Sequence, residues 1–379
     1  MATTTTLSRR DAVRLSRLRL TAQKVAPGAG PALTPSALVR HLFALQAQDL
    51  AAATWAVAVR SPGTTETDVG EALREGSIVR SWPMRGTLHL VAPEDLDWML
   101  RLTAPRTIAS AAPRFAETGL TARMLDLAAH VAHDRLAGGR ALTRAELVAA
   151  LAEAGVPTAG QGGYHCLWFL AHSRVICAGP PSGKQQTFVL LDEWAQNPRR
   201  IEGDEALGEM AARYFVGHGP ATVRDFAWWA SLTLAQARRG LAVAEAGLAS
   251  ITVGDTVYYL SPELLDSGPA PSASGVFLLP SFDEMLLGYQ DRSATVPPEH
   301  LTSVVPGKNG LFLPVIVAGG TTVATWRRTI ARDHVDITAA PFTTMSSTVK
   351  RGYERGARAY ARYLGASLMP SVDYGVATP

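Results

Sequence analysis

The sequence of 379 residues contains only two cysteines, Cys166 and Cys177. Two thiols are too few for the disulfide framework of a small secreted domain or for a four-cysteine zinc site. No apolar run reaches the roughly 18 residues that a membrane-spanning helix needs, and no typical secretory leader opens the chain. We therefore expect a cytoplasmic protein that does not enter a membrane.

The sequence also lacks the common catalytic and metal-binding signatures. No GxSxG, phosphate-binding loop, HExxH or CxxC pattern occurs. Potential metal ligands occur in two groups, His130 with His133 and Asp134, and His165 with Cys166, His172 and Cys177. A site in the first group would need a further open ligand, and the spacing of the second fits no known zinc arrangement. We predict no metal and no cofactor.

Lysine is scarce. The 36 lysine and arginine residues include only four lysines, which are Lys24, Lys184, Lys308 and Lys350. The net charge of +3 permits an anionic partner without requiring one. Hydrophobic residues make up 47% and charged residues 18% of the chain, as in globular proteins with an ample core. The length is typical of two or three domains.

Helix and hairpin signals recur three times in the same order. The first set comprises helices at 9–20, from Thr34-Pro35 to Leu45 and at 67–75, followed by a hairpin of 78–82 and 87–91. The second comprises helices at 122–136, 143–154 and 160–172 and a hairpin of 175–177 and 187–191. The third comprises helices at 204–216, 222–229 and 233–248 and a hairpin of 251–253 and 256–260. Three helices followed by a two-stranded wing are typical of the winged-helix fold.

The pattern predicts an α+β, mainly α protein of three tandem winged-helix units and a C-terminal β-rich region. We assign the units to 1–120, 121–200 and 201–262, and the C-terminal region to 275–379. The predicted elements of that region are strands at 276–279, 311–317, 321–326 and 335–337 and a basic helix at 342–364.

Winged helices commonly present one helix to a DNA groove and a hairpin to the flanking backbone. Arginines crowd the first unit, where they could neutralise phosphates, although a solvated basic surface is the alternative interpretation. Because fold alone does not fix function, two other classes stay open: a transcription regulator without catalysis and a protein-binding scaffold. Three unequal units do not suit a two-fold symmetric operator, and the basic first unit disfavours a scaffold.

The segment Gln46-Ala47-Gln48-Asp49 follows the second apolar helix. If its backbone is extended, the two glutamines can direct both amides into one cleft. An amide accepts and donates at once, so it can hold a water molecule in a fixed orientation. The alternative is that the glutamine pair or Asp49 caps the end of the helix.

Five segments occur together over about residues 40 to 330: LQAQ (45–48), WPMRGTLHL (82–90), GPATVRDFAWW (219–229), LPSFDEMLLGY (279–289) and DRS (291–293). In this combination the chain resembles the AlkZ/YcaQ family of winged-helix DNA glycosylases, and more closely its AlkZ branch. That branch has a Gln–aliphatic–Gln motif, which Gln46 and Gln48 match around a small Ala47, whereas the YcaQ branch has Asp at the second position. The resemblance implies that Gln46 and Gln48 are catalytic.

The resemblance also implies an architecture and a substrate. The architecture is three winged helices around a basic channel. The substrate is double-stranded DNA carrying N7-alkylated guanine, including bulky adducts and interstrand crosslinks. Branch members are often self-resistance proteins in producers of DNA-alkylating natural products. We expect an open surface rather than a base-flipping pocket, because crosslinked bases cannot leave the duplex freely.

Five residues are predicted to contact DNA: Arg40, Arg85, His89, Arg292 and Lys308. Arg85 and His89 lie in the first wing, and the alternative is that Arg85 caps the wing while His89 packs beneath it. Arg292 and Lys308 flank a Gly/Pro-rich stretch that could form a hairpin or loop. We further expect a monomer, since a crosslink needs one channel and no symmetry. Because no lysine adjoins the glutamines, we expect a monofunctional glycosylase.

Overall fold

The computed structural model describes residues 7–26, 28, 31–183, 185–307, 310–332 and 334–372. Residues 369–372 are described by their backbone alone. Internal contacts divide the chain into two compact units. Unit 1 combines Met1–Val69 with Gly208–Pro379, and unit 2 is Gly70–Leu207. Unit 1 is therefore discontinuous in sequence, with unit 2 inserted between its two parts.

The helices of the described residues are α1 (Arg9–Ala22), α2 (Pro35–Leu42), α3 (Leu50–Ala58), α4 (Glu66–Arg74), α5 (Pro93–Ser110), α6 (Ala112–Glu117), α7 (Ala122–Leu136), α8 (Arg144–Glu153), α9 (Gly162–His172), α10 (Leu191–Trp194), α11 (Gly203–His218), α12 (Val223–Ala230), α13 (Leu234–Ala244), α14 (Pro262–Ser267), α15 (Glu284–Leu287), α16 (Leu301–Val304) and α17 (Ser347–Leu364). Within the described ranges, none of them is long and apolar enough to cross a membrane.

The strands are β1 (Ala44–Gln46), β2 (Val79–Met84), β3 (Thr87–Val91), β4 (Leu142–Thr143), β5 (Ile176–Ala178), β6 (Thr187–Leu190), β7 (Ala249–Val253), β8 (Thr256–Leu260), β9 (Val276–Leu279), β10 (Val315–Ala318), β11 (Thr321–Ile330), β12 (His334–Pro341) and β13 (Ser367–Val372). In unit 2, neighbouring strands follow the order β3-β2-β5-β6-β4. Unit 1 has a five-stranded sheet in the order β13-β12-β11-β10-β9 and the separate β7-β8 pair. In the five-stranded sheet only β12 and β13 pair in parallel.

The three predicted helix–hairpin sets are confirmed as secondary structure, except for the end of the second helix in the first set. Their hairpins are β2–β3, β5–β6 and β7–β8, each antiparallel. The first hairpin turns at Arg85-Gly86, whose φ angles of +55° and +63° are those of a tight turn that matches strand twist. That each set packs as a winged helix stays a prediction, as do the segments 1–120, 121–200, 201–262 and 275–379. The compact units group the chain differently, since the first hairpin belongs to unit 2.

Local capping explains where several helices begin. In α8, the Thr143 side chain accepts the N–H of Glu146 while Glu146 accepts the N–H of Thr143, which is the predicted capping box. The hydrogen bonds lower the pKa of Glu146, first the one from the Thr143 backbone and then the one from its hydroxyl. The Thr222 and Asp225 pair starts α12 in the same way.

The prediction for the first set was incomplete. The second helix ends at Leu42, not Leu45, and residues 44–46 form a strand. Three helices were missed: α3, α5 and α6. In α3 the residues are apolar on all sides and seven of nine are buried, so no helical period marks it.

Each unit has its own apolar core. In unit 2, helices α7, α8 and α9 pack around buried Trp168 and Phe115, whose ring centroids are 6.1 Å apart. In unit 1, α17 lies on the five-stranded sheet. Gly352 and Gly356 permit this close approach, since a Cβ at either position would meet side chains of β9 at 2.4–2.5 Å. Trp55 and Tyr360 complete this core with an edge-to-face contact of 4.8 Å.

Candidate active site

The glutamine segment lies between two helices of unit 1. Phe43 ends α2 with a φ of +67°, and its N–H donates to the carbonyl of Arg40. The chain is then extended through Gln46, so the condition for a shared cleft is met at that residue. Asp49 does cap a helix, but its carboxylate accepts the N–H of Ala52 at the start of α3 rather than at the end of α2.

The two glutamines differ in burial. Gln46 is half-buried and Gln48 is exposed. The side-chain oxygen of Gln46 is inaccessible to solvent and has no hydrogen-bond partner among the described residues. Leaving such a group unsatisfied costs about 1–3 kcal/mol, so its retention needs an explanation. A water molecule bound at this position would satisfy this acceptor.

A buried carboxylate holds the backbone of this segment. Glu284, at the start of α15, is 2% exposed and accepts the Gln46 N–H on Oε1 at 3.0 Å. Its Oε2 accepts the indole N–H of Trp229 at 2.9 Å. The ring of His218 lies beside it, with Nε2 3.4 Å from Oε2. The ring of His218 also stacks on Tyr214, with centroids 5.0 Å apart.

Asp283, the residue before Glu284, is also held by buried hydrogen bonds. Asp283 makes two hydrogen bonds of 2.8 Å with the guanidinium of Arg60, and both side chains are fully buried. Gln23 links the pair to the next residue: its Oε1 accepts from Arg60 and its Nε2 donates to the Glu284 carbonyl. Sequence reasoning missed these roles. The available signal was two acids inside the apolar run Phe282 to Leu287, where charge is unexpected unless it is paired.

Asp49, next to Gln48 in the sequence, lines a cavity of about 380 Å³. The other polar residues of its lining are Ser281, Thr325, Arg327, Arg328 and Thr338. Two guanidinium groups against one carboxylate make this lining net positive, which suits the phosphate backbone of a nucleic acid. A second cavity, of about 560 Å³ beside α17, contains none of the predicted site residues.

Arg40 lies on the helix that precedes the glutamines. It is exposed, and its carbonyl accepts a hydrogen bond from the guanidinium of Arg213. That guanidinium also lies 4.5 Å from the ring centroid of Phe43. The neighbouring His41 donates from Nε2 to the Ala22 carbonyl at 2.6 Å, and burial lowers its pKa to about 4. A neutral His41 therefore donates to this carbonyl, and Arg40 and Arg213 provide the positive charge.

Arg85 and His89 are in contact at the first hairpin of unit 2. Arg85 Nη2 lies 2.9 Å from Nε2 of His89, and His89 Nδ1 lies 2.9 Å from the Thr87 carbonyl. Since the guanidinium can only donate, Nε2 accepts and Nδ1 carries the proton. His89 is fully buried and Arg85 half-buried, which is the arrangement of the structural alternative. A DNA contact by the pair stays a prediction.

Arg292 is held within the protein fold. Its guanidinium lies 5.0 Å from the ring centroid of Trp228 and 4.9 Å from that of Phe312, and it donates to the Leu286 and Gln290 carbonyls. Lys308 lies outside the described residues. Between 292 and 307 the chain forms a 3₁₀ turn and α16, so the hairpin considered for this stretch is not present there. DNA contacts by Arg292 and Lys308 stay predictions.

The cysteines and the nearby histidine belong to the core of unit 2. Cys166 and Cys177 are free, buried thiols, and burial raises the pKa of Cys166 to about 12 and that of Cys177 further. Burial lowers the pKa of His172 to about 4, and its Nδ1 donates to the Trp168 carbonyl. In the described ranges, no three His, Cys, Asp or Glu side chains are close enough together to hold a metal ion.

Comparisons with known proteins agree on one group. The family model described as DNA glycosylase AlkZ-like matches residues 39–363. An interstrand DNA cross-link repair glycosylase of Streptomyces sahachiroi is 30% identical over 359 residues, covering 90% of this chain and 94% of that protein. The solved structure of the Streptomyces sahachiroi DNA glycosylase AlkZ superposes with a TM-score of 0.79 at 27% identity, over 95% of this chain and 98% of that one.

Proposed function

The chain belongs to the AlkZ-like family of DNA glycosylases, and on this premise we propose that it hydrolyses the N-glycosidic bond of N7-alkylguanine in double-stranded DNA. The observation that carries the proposal is the Gln46-Ala47-Gln48 segment, which is extended as far as Gln46, has an unsatisfied buried acceptor on Gln46 and has the N–H of Gln46 bound to Glu284. The family assignment makes the chain an enzyme rather than a regulator without catalysis.

The chemistry of the adduct suits a site built from amides. Alkylation at N7 places a positive charge on guanine, so the base leaves without a general acid. The bond between C1′ and N9 breaks, its electron pair neutralises the base, and an oxocarbenium-like sugar remains. A water oxygen then attacks C1′ and releases a proton to solvent. Gln48 orients this water, and the side-chain oxygen of Gln46 helps to bind the same water or stabilises the positive charge of the sugar.

Three features support DNA binding. The three helix–hairpin sets agree with the tandem winged-helix architecture that the resemblance implies. Arg40 and Arg213 place positive charge at the helix before the glutamines. Arg327 and Arg328 line the cavity that reaches Asp49. We assign these arginines to phosphates near the lesion, with Arg85, His89, Arg292 and Lys308 as further predicted contacts.

The biological role follows from the relative. The Streptomyces sahachiroi protein is named for interstrand cross-link repair, and we extend that activity to this chain. Crosslinks between guanines present the same charged leaving group twice, and the unhooking reaction is one hydrolysis on each side. Self-resistance to a DNA-alkylating natural product is the role that we propose, carried out by a monomer.

The test is release of base from duplex DNA containing N7-methylguanine, with a crosslinked duplex run in parallel. We expect Gln46→Ala and Gln48→Ala each to lower the single-turnover rate at least tenfold, or about 1.4 kcal/mol of transition-state stabilisation. DNA affinity should stay within a factor of about two, because the change removes an interaction of the transition state.

Gln161→Ala is the matched control, since this exposed glutamine at the start of α9 makes no capping hydrogen bond with its side chain. Its rate should equal that of the wild type. Equal rates for all three variants and the wild type would contradict the assignment of the motif. Release from the crosslinked duplex alone would restrict the substrate to bulky adducts.

A further inference from the structure

The carboxylate of Glu284 contacts the backbone of the proposed catalytic segment. At 2% exposure it is shielded from solvent. One oxygen accepts the N–H of Gln46 at 3.0 Å, and the other accepts the indole N–H of Trp229 at 2.9 Å. With each oxygen turned toward a protein donor, this carboxylate is placed to hold the segment and not to touch DNA.

Glu284 is itself fixed on two sides. Its carbonyl accepts a hydrogen bond from Gln23 Nε2 at 3.1 Å. The preceding Asp283 is bound by both guanidinium nitrogens of Arg60 at 2.8 Å. The backbone around Glu284 is thus held by buried contacts that do not involve the glutamine segment, and the contact to Asp283 is charge-assisted.

The glutamine segment is a short connection between two helices. It joins α2 to α3 through a residue with a φ of +67°, and Gln48 and Asp49 are exposed. A backbone N–H bonded to a carboxylate makes a hydrogen bond about twice as strong as one bonded to a neutral acceptor. The bond from Gln46 to Glu284 spans 238 residues of sequence, so it fixes the segment to a distant part of unit 1.

We propose that Glu284 is a positioning residue of the glycosylase. It fixes the backbone of Gln46 so that the side chains of both glutamines contact the same water. The inference rests on the proposed catalytic role of Gln46 and Gln48. Small displacements of a positioned group cost large factors in rate because the reacting atoms must be aligned. Losing this bond therefore lowers the rate of bond cleavage more than it lowers DNA affinity.

The variant that tests this is Glu284→Gln, which keeps size and shape. An amide has one acceptor oxygen, so it cannot accept from both Gln46 and Trp229, and its NH₂ must face one of these two donors. We expect the single-turnover rate of base release to fall at least tenfold, with the DNA dissociation constant within a factor of about two of the wild type.

Trp229→Phe is the matched control, because it removes the other donor to the same carboxylate and leaves the bond to Gln46 in place. Its rate should stay within about threefold of the wild type. In the double variant Glu284→Gln with Trp229→Phe, the amide oxygen can accept from Gln46 while the NH₂ faces His218. We expect the rate of the double variant to return to within about threefold of Trp229→Phe, a coupling that loss of stability alone would not produce.

The outcomes separate the two proposals. If Glu284→Gln folds and cleaves at the wild-type rate while Gln46→Ala is inactive, the positioning role is wrong and the catalytic motif stands. If Gln46→Ala and Gln48→Ala are both fully active, the proposed function itself fails. Should Glu284→Gln not fold, as judged by its thermal unfolding, the double variant decides alone: a rate tenfold or more below that of Trp229→Phe overturns the inference.

Discussion

The interiors of the two units are stabilised in different ways. Around the glutamine segment, unit 1 buries a connected set of charged and polar side chains, with the Arg60–Asp283 pair and Glu284 at its centre. Unit 2 is built around an apolar cluster beside Trp168, and its buried Asp95 pairs with the partly exposed Arg199. Its ion pairs include the partly exposed one between Arg101 and Asp97.

This difference fits what each interior has to hold. Apolar packing holds helices that already have an amphipathic face, and it tolerates small displacements of the packed side chains. An extended segment with polar side chains has no such face, so directional bonds to buried acceptors must fix it. The polar interior of unit 1 therefore accompanies the presentation of the glutamine segment, which begins in a strand at Gln46.

The largest expected effect is on the buried ion pair of unit 1. Asp283→Ala leaves the guanidinium of Arg60 buried without its partner, which should lower the free energy of unfolding by about 3–5 kcal/mol. Urea titration, with hydrogen exchange of peptides from 276–287, measures it. The control is Asp97→Ala in the exposed pair of unit 2, expected to cost about 1 kcal/mol or less. Equal losses would remove the contrast between the units.

A core truncation tests unit 2 in the same terms. Leu151 is fully buried in the apolar cluster, and Leu151→Ala should lower the free energy of unfolding by about 2–5 kcal/mol through lost burial and a residual cavity. Base release per folded molecule should be unchanged. Leu265→Ala, at a leucine that is 40% exposed, should cost about 0.5 kcal/mol or less. If Leu151→Ala lowers the rate of base release per folded molecule, the prediction that this leucine affects stability and not catalysis is wrong.

The pH dependence of unit 2 gives a smaller effect. The pKa of His172 is lowered to about 4 by burial, so the unfolded chain binds the proton more readily between that value and 6.5. Stability present at neutral pH is therefore lost as the pH falls through 6.5. From pH 7.5 to 5 this amounts to about 2 kcal/mol. His172→Phe should flatten this slope in hydrogen exchange of peptides from 162–190. An unchanged slope would show that other groups cause it.

The helix caps give the smallest effect and compare the units directly. Thr143→Ala, at the exposed end of α8, should cost about 1 kcal/mol. The cap of α12 is tied to more structure, because Asp225 also accepts the N–H of Gln290 at 2.9 Å. Thr222→Ala should accordingly cost more, up to about 2 kcal/mol. Thermal unfolding of both variants measures the two losses of stability. A larger loss in Thr143→Ala than in Thr222→Ala would contradict the prediction.

Much of the secondary structure could be predicted because its signals are local. The bounds of α7 and β9 agree with the prediction to the residue, and the capping box at Thr143 fixed the start of α8. The first hairpin was predicted with strands at 78–82 and 87–91, and its strands are Val79–Met84 and Thr87–Val91. These elements are specified by residues a few positions apart, so one sequence suffices to find them.

The candidate site could be predicted only in part. The glutamines follow from their pattern, but the early end of α2 depends on the left-handed backbone at Phe43, for which the side chain gives no signal. The bonds from Glu284 to Gln46 and Trp229 join residues 238 and 55 positions apart. Pairings at such separations arise from the tertiary fold, which periodicity and capping rules do not describe.

The insertion of unit 2 into unit 1 sets an order for events on the ribosome. Gln46 is synthesised 238 residues before Glu284, an interval of about 10–50 s at typical rates of translation. All of unit 2, from Gly70 to Leu207, is synthesised within that interval. The nascent chain therefore carries its glutamines without their buried acceptor while a complete inserted unit emerges and can fold. Catalytic competence is acquired late, after roughly three quarters of the polypeptide has been made.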